Sequence, residues 1–208
     1  MDPKTHELLY SIPENSDYAA EAGDLDAGDI PEARRSAVKE LMLHSNDETE
    51  RFLAAKLLAS WGEYEGLVAL QKGLERPEVI EGTYIHRLYG YDDTYRQVLM
   101  AVTMYFANVA GAQGKDVARP HVYELLSKII SLANDRPFEI SELYSFVRRE
   151  KYLEYLPMIE RHLTSIIDFP EKHRWKIYDA IVFLMELDSD FVVPLLIGRN
   201  KTVDDFKP

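Results

Sequence analysis

From Pro31 onward, apolar residues return every three or four positions, and glycine, proline or a short acidic pair breaks each run. No stretch shows the sustained apolar–polar alternation of a half-buried strand. Period and punctuation together restrict the chain to helices joined by tight turns, an all-α fold. Pro31 suits a first helical position, with Ala33, Ala37, Val38 and Leu41 recurring on one face. Asp47 can cap the next helix and stands at capping-box spacing from Glu50. That helix should bury Phe52, Ala55, Leu58 and Ala59 and stop at Gly62 in a left-handed turn. Leu67, Leu70 and Leu74 then share a face that ends at Pro77, so the stripes of Leu58 and Leu70 should meet. Further helices are expected over 92–109, 120–132, 141–149, 151–167, 170–187 and 190–197.

Internal repetition refines this picture. Asp47, Arg51, Ala54, Ala55, Leu58, Gly62, Leu67, Leu70, Leu74 and Pro77 read as cap, amphipathic helix, tight turn and second helix. The span 47–77 resembles a HEAT repeat of the short, lyase-associated kind, with Trp61 replacing a usual leucine. Asp92 and Arg96 repeat the Asp…Arg spacing 45 positions on, and Leu156-Pro157-Met158-Ile159 is echoed by Val193-Pro194-Leu195-Leu196. The resemblance implies a short right-handed solenoid of HEAT-like hairpins, each covering its neighbour's apolar surface. An antiparallel helical bundle is the structural alternative. The expected organisation is an acidic, partly ordered segment over 1–30, a helical-repeat domain over 31–198 and a tail over 199–208.

Charge is unevenly placed. The formal net charge is −12, and the first 32 residues hold nine acids against one base. That balance argues against a sequence-independent grip on phosphate backbones, so no nucleic-acid partner is expected. The stretch 19–28, rich in Ala, Gly and Asp, reads as a loop, and the segment is either a lure for a basic partner or a solvated terminus. Nothing at the start resembles a secretory signal, and the apolar runs fall short of a membrane span. A cytoplasmic protein is expected.

Searches for chemistry return little. Without cysteine, thiolate metal sites and cysteine nucleophiles are excluded. His6, His44, His86, His121, His162 and His173 are scattered and form no H-E-x-x-H, so no metal site is expected and the histidines read as surface or partly buried. The DLDAGD stretch lacks the later acids of a calcium loop, with Arg35 where the bidentate Glu should stand. Phosphate-cradling and nucleophile-elbow motifs are absent. The chain is expected not to be an enzyme, with no catalytic residues and no cofactor.

Residues 78–96 break the repeat and concentrate tyrosine among charges. Tyrosine supplies large, rigid contact area with a polar tip, and an irregular segment on a rigid scaffold suits recognition. Glu81, Tyr84, Tyr89, Tyr91, Asp92 and Asp93 are the candidate partner-binding residues, the alternative being that these tyrosines cover the core. A second cluster, Tyr144, Phe146, Arg148, Arg149, Tyr152 and Tyr155, reads either as packing or as interface. Size, acidity, absent cysteine and the repeat resemble bacterial toxin-immunity proteins. That resemblance implies a module that covers the active site of a cognate toxin, a nuclease or another basic domain. A chromophore-handling protein similar to bilin lyases, which would need a concave apolar pocket, is the alternative, as is a scaffold or adaptor.

Overall fold

The computed structural model describes residues 1–86 and 90–207 and is all-α; among these residues the only β feature is an isolated antiparallel bridge between Ile85 and Asp92. The chain divides into two compact units, Met1–Leu125 and Leu126–Pro208, with the boundary inside one helix.

The first unit contains α1 (Pro3–Tyr10), α2 (Glu32–His44), α3 (Glu48–Ser60), α4 (Tyr64–Gly73), α5 (Thr94–Gln113) and the start of α6 (Lys115–Asp135). Its centre is α3, which is buried on nearly every side from Phe52 to Ser60 and packs on α2, α4 and α5. A helix apolar around most of its circumference has to be enclosed in this way. The Asp47 carboxylate caps α3, accepting from the amides of Thr49 (2.8 Å) and Glu50 (3.4 Å). The reciprocal bond of a capping box is replaced by a relay: the Asp47 amide donates to the Ser45 hydroxyl, which donates to Glu50. Gly62, at φ 84°, turns the chain into α4, where Leu67 and Leu70 are each 1% exposed, as is Leu58 opposite in sequence.

Several local expectations differ from the structure, among them the 151–167 helix, whose α-helical part begins only at Leu156, after a left-handed Lys151 and a 3-10 turn over Leu153–Tyr155. On α2 the buried residues are Val38 and Met42, while Ala33 and Ala37 face solvent. The inward stripe is completed by the stems of Arg34 and Arg35, whose heads reach the Leu8 carbonyl and Glu63. Helix α6 starts at Lys115, five residues before Pro120. The proline deprives only the exposed Asp116 carbonyl of a partner, which water can replace. The expected 170–187 helix is two, α9 (Pro170–His173) and α10 (Trp175–Leu187), broken at Arg174 with φ 51° and ψ −130°.

The second unit holds the end of α6, α7 (Ser141–Glu150), α8 (Leu156–Ile166), α9, α10 and α11 (Ser189–Gly198). Its core surrounds α10, on which α7, α8 and α11 pack. Tyr144 stacks on Phe183 at 4.7 Å, and Phe146, Tyr152 and Tyr155 are buried, so the aromatic members of the 144–155 cluster belong to this core. Arg148 and Arg149 stay outside, paired with Glu186 and Glu150. A short 3-10 turn, Val203–Phe206, buries Phe206 against α10.

Candidate functional site

The acidic N-terminal segment folds down on the first unit. Leu9, Ala19, Ala22, Leu25 and Ile30 are buried, and the 19–28 stretch forms two 3-10 turns, Ala22–Asp24 and Ala27–Asp29. Side-chain bonds to its backbone carbonyls pin it: the Trp61 indole N–H donates to Ala22 at 2.8 Å, the Arg34 guanidinium to Leu8 at 2.9 Å and the Arg35 guanidinium to Ala27 at 3.4 Å. Trp61, which closes the C-terminal end of α3, is therefore one of the tethers. Three of the acids hold the segment's own backbone and side chains, Asp2 by capping α1 through the amides of Lys4 and Thr5. Asp24 accepts from the amides of Ala20 and Glu21, and Asp29 accepts from the Tyr18 hydroxyl. Glu14, Asp17 and Asp26 point to solvent and make no ion pair among the described residues.

A cavity of about 400 Å³ lies between this segment and the helices behind it. Its walls come from α1 (Leu9, Tyr10), the acidic segment (Glu21, Asp24), α3 (Leu53, Lys56, Leu57, Ser60), α5 (Gln97, Met100, Met104) and Tyr84. Lys56 is the single cation in this lining. Its ammonium donates to Gln97 Oε1 at 2.7 Å and the Tyr84 hydroxyl at 3.3 Å, and sits 4.6 Å from the Tyr84 ring centroid. Burial pushes the Lys56 ammonium down from the usual lysine range, against the carboxylates of Glu21, Asp24 and Asp93, which favour the charge. Burial likewise raises the Tyr84 phenol, so it stays a neutral hydroxyl at any working pH.

The structure separates the six residues singled out in 78–96. Glu81 is exposed and accepts from the Tyr95 hydroxyl at 2.6 Å. Tyr84 turns inward to the cavity. Tyr91 is half-buried and stacks on His86 at 4.7 Å. Asp92 closes the loop, accepting from the amides of Gly82 (2.8 Å) and Thr94 (2.9 Å). Asp93 is 6% exposed; its amide donates to the Tyr84 carbonyl, and its carboxylate lies 3.6 Å from Arg96. Tyr89 lies outside the described residues. Burial and internal bonds thus engage Tyr84 and Asp93 within the fold, and Glu81 with Tyr91 is the accessible part.

Sequence reasoning did not single out Lys56 or Gln97. A signal existed: Lys56 is the one polar residue in the run Phe52 to Ala59. Its partners lie 28 and 41 positions away, a pairing no local pattern specifies. His162 and His173, read from the sequence as surface or partly buried, are fully enclosed in the second unit. Among the described residues no cluster of three metal-ligating side chains occurs, and no helix is long and apolar enough to cross a membrane. No family model, curated protein or solved structure matches the chain.

Proposed function

We propose that this chain is a protein-binding module whose partner carries a basic face, acting as an immunity protein does when it covers a toxin's active site, and not as an enzyme. One observation carries the reading: buried apolar residues alternate with exposed acids through residues 9–30, so that the folded segment holds Glu14, Asp17 and Asp26 outward on a fixed surface. A mobile acidic tail would pay ordering entropy on binding, whereas a packed one presents its charges in advance. Complementary charge would accelerate association and make it sensitive to salt, since screening acts over ~8–10 Å at physiological ionic strength. Glu81 and Tyr91 would add contact area beside Tyr84, which borders the same cavity as Glu21 and Asp24.

Within the first unit, the α3–α4 hairpin supports a short solenoid of HEAT-like hairpins as the scaffold for that face. A cytoplasmic setting suits a chain without cysteine.

The test is capture from native lysate followed by titration of the recovered partner. The triple variant Glu14→Gln, Asp17→Asn, Asp26→Asn changes only exposed positions. It should bind more weakly and with a flatter salt dependence. Equal affinity and an equal salt slope would contradict the reading.

A further inference from the structure

We infer that the cavity of the first unit binds a small monocarboxylate with an apolar body, its carboxylate pairing with the Lys56 ammonium in the place now taken by Glu21. The geometry around Lys56 shows that Glu21 holds that position only loosely. An ammonium has three donors, and two of them reach Gln97 and Tyr84. The third faces Glu21 at 3.9 Å, beyond hydrogen-bond distance, and the Glu21 side chain is 69% exposed while that of Lys56 is 14% exposed. A nearly buried cation is thus matched to a carboxylate that stands mostly in water. A ligand carboxylate entering the cavity would meet the ammonium at contact, in about the 2.7–2.9 Å range of charge-assisted bonds.

The rest of the cavity fixes the other half of the ligand. Leu9, Ile12, Leu53, Leu57, Met100 and Met104 offer an apolar wall, and the two methionines can adapt to an irregular body. About 400 Å³ falls near the lower end of small-molecule sites, so the body is compact. Charge selects a single negative group. One cation stands among Glu21, Asp24 and Asp93, all of which act on it. A single carboxylate replaces the charge that Glu21 withdraws into solvent, whereas a phosphate or dicarboxylate would bring a second negative charge into that acidic surround with nothing to balance it.

Octanoate is the probe, titrated calorimetrically into the full chain beside octanol and octylamine. Octanoate should bind, with octanol and octylamine weaker by about tenfold or more, the share expected of one charge-assisted bond. Glu21→Gln keeps the side chain's shape and its acceptor for the Ala22–Asp24 turn, removes the competing charge, and should tighten octanoate whatever small shift the thermal melt shows. Lys56→Gln should abolish the preference for octanoate over octanol. Absence of octanoate binding, equal affinity for octanol, or an unchanged or weaker affinity in Glu21→Gln would each overturn the assignment. The Glu21 arm decides the matter even if Lys56→Gln fails to fold.

Discussion

Gly66 of α4 lies so close to α3 that a Cβ built on it would stand 2.5 Å from the Ala59 amide nitrogen. The same atom would also meet Leu58 Cβ at 2.7 Å and the Ala55 carbonyl at 2.8 Å. The hairpin is therefore set by backbone-to-backbone contact, with Ala55 and Ala59 supplying the small surface opposite. Gly66→Ala, which in an open helix would stabilise by up to about 1 kcal/mol, should instead destabilise by about 1–3 kcal/mol because neither backbone can yield. Gly73→Ala, with nothing within 4 Å, serves as the control and should be neutral or slightly stabilising. Urea unfolding of the two variants separates the effects.

Leu58 fills the space beside that contact at 1% exposure. Truncation to alanine should lower stability by about 2–5 kcal/mol. A loss under about 0.5 kcal/mol in the same unfolding experiment would place the side chain at the surface.

The first hairpin was legible because its determinants are local. The Asp47 cap, the Gly62 turn and the spacing of Leu67, Leu70 and Leu74 each operate within a few residues. The inward face of α2 was not, because the Arg34 guanidinium lies over the Trp61 ring and that of Arg35 pairs with Glu63, partners that lie 27 and 28 positions away. The candidate site suffered the same way. Tyrosine enrichment marked 78–96, yet whether Tyr84 faces in or out depends on Lys56, 28 residues earlier. The packing of the acidic segment was not legible because its buried residues are mostly small or spaced irregularly, and its anchors are Trp61, 39 positions from Ala22, and the two arginines Arg34 and Arg35 of α2.

Trp61→Phe keeps most of the ring's volume and removes the bond to the Ala22 carbonyl. A loss of about 0.5–1.5 kcal/mol is expected, since one hydrogen bond is deleted and the 20–30 stretch can open. Thermal melts should report it, and the binding of a basic partner should become slower.

His162 and His173 set an acid limit on the second unit. The His162 ring donates through Nδ1 to the Asn134 side-chain carbonyl at 2.9 Å. Burial depresses the two rings to about 3 and about 4 respectively, helped by the His173 ring beside His162 and by Lys172 and Lys176 beside His173. Unfolded, both would titrate near 6.5, so below that pH the unfolded chain takes up protons that the folded chain refuses. Stability should fall as pH drops from about 6.5 to 5, by at most about 1.4 kcal/mol per pH unit for each histidine. Carboxylates with ordinary values near 4 remain largely ionised in that window. His162→Gln should flatten the slope; an identical slope in the variant would place the proton uptake elsewhere.

Both binding proposals rest on the acidic segment being part of the first unit's fold, and native-state amide hydrogen exchange tests this most directly. The amides of Ser16, Ala19, Asp24 and Asp29 donate to the carbonyls of Pro13, Ser16, Glu21 and Asp26. Their protection should stand well above the rate of an open chain and should fall in Trp61→Phe, while the amides of α3 stay protected. Exchange of those four amides at open-chain rates in the unaltered protein, with α3 still protected, would contradict the account.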